Sequence, residues 1–263
     1  MIDSPRSAVV KRVAALKQRR HRTETGLFLC EGPQAVREAL AAVPDDVLEV
    51  YLTPDALGRH EDVATAARDA GAETELASDA ALDAMTDTQA PQGVVAVVRQ
   101  APVALRDVFA GARLAVILDE VRDPGNAGTI VRAADAAGAG AVVLTGSSVD
   151  PYNPKVVRAT TGSLFHLRIG TGVDLGAAVE GAHAAGLQVL AADMHGDPLP
   201  ELGDALTAST AWLFGNEAHG LSAQARALAD RTVAVPIYGA AESLNLASAA
   251  SVCLYASAFV HRR

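Results

Sequence analysis

The chain has 263 residues, 50% of them hydrophobic and 20% charged, with a formal net charge of −9. That length allows one large or two modest domains around a buried core, and the composition excludes a disordered or fibrous chain. Two cysteines, Cys30 and Cys253, exclude a disulfide framework or a four-ligand zinc site, so the chain reads as cytoplasmic and metal-poor, with reduced core thiols. No apolar run approaches the roughly 18 residues of a membrane span, and the basic N-terminus lacks the apolar stretch of a signal peptide.

The charge is unevenly placed. Residues 1–22 carry Arg6, Lys11, Arg12, Lys17, Arg19, Arg20 and Arg22 against Asp3 alone, a local charge of +6 that leaves −15 on the rest. Overall acidity argues against nonspecific nucleic-acid binding, whereas the basic start points to a polyanion contact or to a solvated helix face.

In chain order, Ser7–Arg20 reads as a helix with Val10, Val13 and Leu16 on one stripe. Gly26–Gly32 reads as a short buried strand, followed by a helix over 33–42, a strand over 48–52 and a helix over 61–70 that ends at Gly71. The run Gln92–Val98 closes a first α/β set, and residues 100–113 read as a connector with one helical turn. From Leu114 onward, apolar strands are expected at 114–118, 141–144, 187–191, 211–214 and 232–235. Helices are expected between them near 127–137, 154–161, 175–185 and 222–229, with a last one over 244–260. Continuous apolar strands alternating with helices imply a mostly parallel sheet covered on both faces. The reading is two α/β domains joined near 100–112.

Polar residues and glycines cluster at three strand ends, where ligands bind in open parallel sheets. In the first segment, Leu118 to Arg132, an Asp-Pro-Gly turn leaves Asn126 at an expected helix N-cap, with Arg132 more than one turn further on. The second, Leu213 to Ser222, runs from a strand into Gly215, Asn216 and Glu217. The third, Val235 to Ala250, passes Ser243 and Asn245 into a helix rich in Ala and Ser, whose small residues admit a close backbone neighbour. Singly, these read as an ordinary turn, a loop and a tightly packed helix; their combination and order carry the chemistry. The pair Gly138 and Gly140 precedes a strand instead of following it, the wrong context for a dinucleotide loop.

From about Leu114 to the C-terminus the three segments together resemble the SpoU (SPOUT) class of RNA ribose 2′-O-methyltransferases. The start, with Arg19-Arg20-His21-Arg22, Gly26 to Gly32 and Gln89 to Val94, resembles the RNA substrate-binding domain of ribosomal-RNA members. The resemblance implies a substrate-binding domain over 1–103 and a methyltransferase domain over 112–263, the latter an α/β parallel-sheet fold closed by a trefoil knot. It implies S-adenosyl-methionine as cofactor, no metal, no membrane, RNA as partner (most readily 23S ribosomal RNA), and a homodimer. Arg132 is then the catalytic arginine, with Asn126, Glu217, Ser243 and Asn245 beside it; Gly215, Ile237 and Leu246 match cofactor-binding positions. Arg19, Arg20 and Arg22 are the expected RNA contacts, and Arg158 is either a phosphate contact or a salt-bridge partner. For Gly215, the missing Cβ is expected to let the cofactor approach. Two alternatives are a transfer-RNA methyltransferase and a noncatalytic RNA-binding assembly factor on the same scaffold.

Overall fold

A computed structural model describes residues 1–262. They divide into two compact units: Met1–Ala101 together with Asp150–His166, and Pro102–Val149 together with the chain from Leu167 onward.

The first unit opens with α1 (Ala8–Ala15) and α2 (Arg19–Thr25), where the sequence reading has one helix. Ser7 caps α1 through its hydroxyl, which accepts from the Val10 N–H, and Val10 and Val13 face inward. The break at 16–18 frees the carbonyls of Leu16 and Lys17, and both accept from Arg22 Nη1, at 2.9 and 2.8 Å. The unit continues with β1 (Leu27–Glu31), α3 (Pro33–Ala42), β2 (Val47–Leu52), α4 (Pro54–Arg59), α5 (Glu61–Asp69), β3 (Glu73–Leu76), α6 (Asp79–Met85) and β4 (Val94–Arg99). Its four-stranded sheet runs β1-β4-β2-β3, with β4 antiparallel to both neighbours and β2 parallel to β3. Elements α4, β3 and α6 go beyond the sequence reading; β3 is at an edge and mostly half-exposed, so it lacks the apolar run that marks a buried strand.

The second unit holds α7 (Leu105–Val108), β5 (Leu114–Asp119), α8 (Pro124–Ala137) and β6 (Ala141–Thr145). After α9 (Pro154–Thr160), which packs in the first unit, come β7 (Arg168–Val173), α10 (Leu175–Ala184), β8 (Gln188–Pro198), β9 (Thr210–Phe214), α11 (Ala223–Leu228), β10 (Arg231–Ala234) and α12 (Leu246–His261). All six strands are parallel, in the order β10-β8-β9-β5-β6-β7. Strands β5, β6 and β9 are almost wholly buried, which explains their unbroken apolar sequences. Strand β7, with two glycines and one edge exposed, gave no such signal. Order reverses between β5 and β9, and Leu118 pairs with Phe214 at their C-terminal ends. That switch point is where an open parallel sheet offers its crevice.

Residues 150–166, read from sequence as part of the second domain, pack in the first unit. Phe28 of β1 lies 4.9 Å from the Tyr152 ring and 6.2 Å from that of Phe165. Gly162, at φ +103, sits so close to Glu38 that a Cβ there would overlap the Glu38 side chain. Arg22, 2% exposed, donates to Asp150 Oδ2 from Nη2 at 2.6 Å and from Nε at 2.9 Å. Removing one partner of a buried pair leaves the other charge desolvated. Asp150→Ala is therefore expected to destabilise the first unit by about 3–5 kcal/mol, read as a lower denaturation midpoint; an unchanged midpoint would show that Arg22 is satisfied by the two carbonyls alone.

Candidate active site

The site grows from the switch point. Strand β5 ends in Asp119, and Glu120 follows at φ +55, a left-handed conformation that is costly for a residue with a Cβ. The Glu120 carbonyl accepts from Nδ2 of Asn216 at 2.8 Å, and Asn216 is buried. Its Oδ1 accepts from the Ala218 N–H at 2.8 Å, and its own carbonyl accepts from the Gly220 N–H at 2.9 Å. The loop after β9 is thus folded tightly on itself. Gly215 belongs to this closure: a Cβ there would stand 2.6 Å from the Gly220 carbonyl carbon and 2.7 Å from the Leu221 nitrogen. The missing Cβ at Gly215 thus makes room for the returning main chain of its own loop.

Glu217 points from this loop to the start of α8. Its Oε2 accepts from the Arg122 N–H at 3.2 Å and its Oε1 from the Asp123 N–H at 3.0 Å. The N-cap of α8 is Asp123, whose Oδ1 accepts from the Asn126 N–H at 2.7 Å, with Pro124 as the first helical residue. Asn126 is thus not the cap, as the sequence suggested, but lies three residues inside it. This frees its side chain: Nδ2 reaches Glu217 Oε1 at 3.5 Å, and Oδ1 accepts from Asn245 Nδ2 at 3.0 Å. Asn245 in turn caps α12, its Oδ1 accepting from the Ala247 and Ser248 N–H groups at 2.9 and 3.3 Å. One chain of hydrogen bonds, Glu217–Asn126–Asn245, therefore joins all three segments.

Other candidates stand outside that chain. Ser243 is exposed in the 235–245 loop, Ile237 is 38% exposed, and Leu246 is the half-buried first residue of α12. Arg132 lies on the exposed side of α8, with no hydrogen-bond or ion-pair partner among the described residues. Neither 215–221 nor 235–245 contains a lysine or arginine, while Ile237, Tyr238 and Leu244 present apolar surface. Glu120, Arg122, Asp123 and Asn216 were not singled out from sequence; only Asp123, directly ahead of a first-turn Pro, carried a readable signal.

Of the expected RNA contacts, Arg22 is withdrawn, because its guanidinium is buried and committed to Asp150 and two carbonyls. Arg19 and Arg20 are exposed, Arg20 in an i,i+4 pair with Glu24. Arg12 is held at 2.8 Å by Glu49, which together with Tyr51 raises its pKa. Arg158 makes a salt bridge, 3.0 Å from Nη1 to Glu31 Oε2. Both cysteines are free and buried, and burial pushes the Cys253 thiol up to about 12.

Comparison with known proteins identifies the family of both parts of the chain. Residues 113–255 match the SpoU rRNA methylase family, and residues 8–96 match the MRM3-like substrate-binding domain. The 23S rRNA (guanosine(2553)-2′-O)-methyltransferase RlmP of Bacillus subtilis is 36% identical over 97% of this chain and 97% of its own. The AdoMet-bound rRNA methyltransferase of Sinorhizobium meliloti superposes with a TM-score of 0.86 at 32% identity, covering 97% of this chain and 96% of that one. The SpoU methyltransferase AviRb of Streptomyces viridochromogenes, in complex with AdoMet, gives a TM-score of 0.83 at 32% identity over 96% and 98%. With three signature segments hydrogen-bonded to one another at the switch point of a parallel sheet, and with relatives aligned along nearly its whole length, this chain belongs to the SpoU rRNA methylase family.

Proposed function

We propose that the protein transfers a methyl group from S-adenosyl-methionine to a ribose 2′-hydroxyl of 23S ribosomal RNA. The observation that carries this reading is the Glu217–Asn126–Asn245 chain, which fixes three separate loops into one crevice. S-adenosyl-methionine supplies a methyl group on a positively charged sulfur, open to in-line displacement by an oxygen. The cation-free loops 215–221 and 235–245, with Gly215, Ile237 and Leu246, are where it is held. Glu217 keeps the start of α8 in place, Asn126 and Asn245 set the polar edge of the crevice, and Ser243 offers a hydroxyl beside them. Arg132 contacts the RNA and stabilises the oxygen electrostatically while the hydroxyl proton passes to solvent water. A guanidinium stays protonated, so this role is electrostatic in preference to general base.

The division of labour is drawn from the two family matches: the part around residues 8–96, with 150–166 packed in the same unit, binds RNA, and the rest of the part around 113–255 catalyses. Arg19 and Arg20 are the phosphate contacts of the first part. The threaded tail belongs to the same reading and is supported by α12, which follows the exposed 235–245 loop and packs on α8. A homodimer is supported by Val252, Tyr255 and Phe259, exposed by 44%, 38% and 65% at the i, i+3 and i+7 positions of α12. RNA as substrate and reduced, buried thiols support a cytoplasmic location, and no helix among the described residues is long and apolar enough to cross a membrane.

The direct test incubates the protein with methyl-labelled S-adenosyl-methionine and, in parallel reactions, unmodified 23S rRNA or transfer RNA, then maps 2′-O-methyl sites. Label at one rRNA position is expected; label only in transfer RNA, or none with RNA still bound, would favour the two alternatives. Arg132→Ala is expected to lower turnover by roughly 100-fold or more with cofactor binding and folding intact. Near-normal turnover would remove Arg132 from the reaction. Converting Arg19 and Arg20 to Gln should weaken RNA binding and flatten the dependence of log K on log salt by between about 1 and 2. Phe259→Asp should yield monomers in light scattering where the unaltered chain gives dimers; a monomeric unaltered chain would end the dimer reading.

A further inference from the structure

The first unit contains a cleft of about 210 Å³ that takes no part in the chemistry above. Gln34 and Ala35 of α3, Thr88 and Gln92 of the loop before β4, Arg158 of α9 and Glu31 of β1 line it. Helix α3 starts with Gly32, which has no side-chain cap to offer, and Pro33, which has no N–H. The N–H groups of Gln34 and Ala35 consequently have no hydrogen-bond partner among the described residues. Gln34 gives Nε2 to Glu38 at 2.7 Å, which leaves its Oε1 and one N–H available.

Charge decides what kind of group suits this cleft. Arg158 is 28% exposed; its Nη1 donates to Glu31 Oε2 at 3.0 Å and its Nη2 lies 3.9 Å from Asp87 Oδ2. Glu31 is buried, and its Oε1 also accepts from the Asp87 N–H at 3.1 Å. Two carboxylates therefore surround one cation. A phosphate would meet that excess of negative charge, whereas an uncharged ring with both donors and acceptors would not.

We infer that the cleft receives an unpaired nucleobase of the RNA substrate. The N–H groups of Gln34 and Ala35 donate to a base carbonyl or ring nitrogen, and the amides of Gln34 and Gln92 read the rest of its edge. The planar guanidinium of Arg158 supplies a stacking surface, held in place by Glu31. Proteins read RNA sequence chiefly on such unstacked bases, set against aromatic or guanidinium planes. This rests on the reading that the chain binds rRNA, and makes the first unit a reader of sequence as well as of charge.

The test is filter binding of radiolabelled, in-vitro-transcribed 23S rRNA to the full chain over a range of salt. Gln34→Ala/Gln92→Ala, which changes two exposed side chains, is expected to bind roughly ten-fold more weakly with an unchanged salt slope. Arg158→Lys, which keeps the charge beside Glu31 and removes the plane, should weaken binding in the same salt-independent way. Affinity of the double variant indistinguishable from the unaltered chain would overturn the proposal. So would a salt slope lowered by about 1, which would mark a phosphate in the cleft. The thermal denaturation midpoint of each variant, read by circular dichroism, reports on folding of the first unit. If the unaltered chain does not bind 23S rRNA, the rRNA reading itself fails, an outcome separate from failure of the cleft alone.

Discussion

The site depends on one carboxylate. Glu217, on the loop after β9, accepts two consecutive main-chain N–H groups, those of Arg122 and Asp123, on the loop after β5. Those donors stand just ahead of a helix, where the chain has no carbonyl of its own to meet them. A charged acceptor is stronger there than a neutral one, and its negative charge also suits the positive end of α8. With the two loops fixed, Asn126 can hold Asn245, and Asn245 can start α12. The strain at Glu120 fits the same scheme: its left-handed turn directs a carbonyl to Asn216 and is maintained by that buried partner.

The first unit is organised around buried charge of a different kind. Arg22 and Glu31 are both nearly inaccessible, and each is answered from residues 150–166, by Asp150 and Arg158. Burial of a paired charge gives little net stability but penalises any arrangement that separates the partners. It thereby ties a segment lying between β6 and β7 in sequence to β1 and α2. The aromatic contacts of Phe28 with Tyr152 and Phe165 supply the apolar part of the same attachment.

Much of this architecture is legible in the sequence because burial writes itself as uninterrupted apolar runs. Strands β5, β6 and β9 are of that kind. Edge strands β3 and β7 are not, since exposure and glycines dilute the pattern. The three segments with Asn126, Glu217 and Asn245 are visible as motifs, but their connections are not: Glu217 binds main-chain groups, which leave no trace in side-chain identity. The Arg22 assignment went astray for a related reason. In sequence Arg22 continues a basic cluster, and only the break between α1 and α2 turns it inward. Gly215 likewise signals a close approach without saying what approaches.

The attachment of residues 150–166 to the first unit also constrains how such a protein can be rebuilt. Because Asp150 and Arg158 answer charges buried at Arg22 and Glu31, the first hundred residues are not a portable module. Exchanging them for those of a relative, in the laboratory or through gene fusion, must carry this inserted stretch along with them. Otherwise, unmatched ions are sealed inside the chimaera, so the two units are inherited as one interleaved piece.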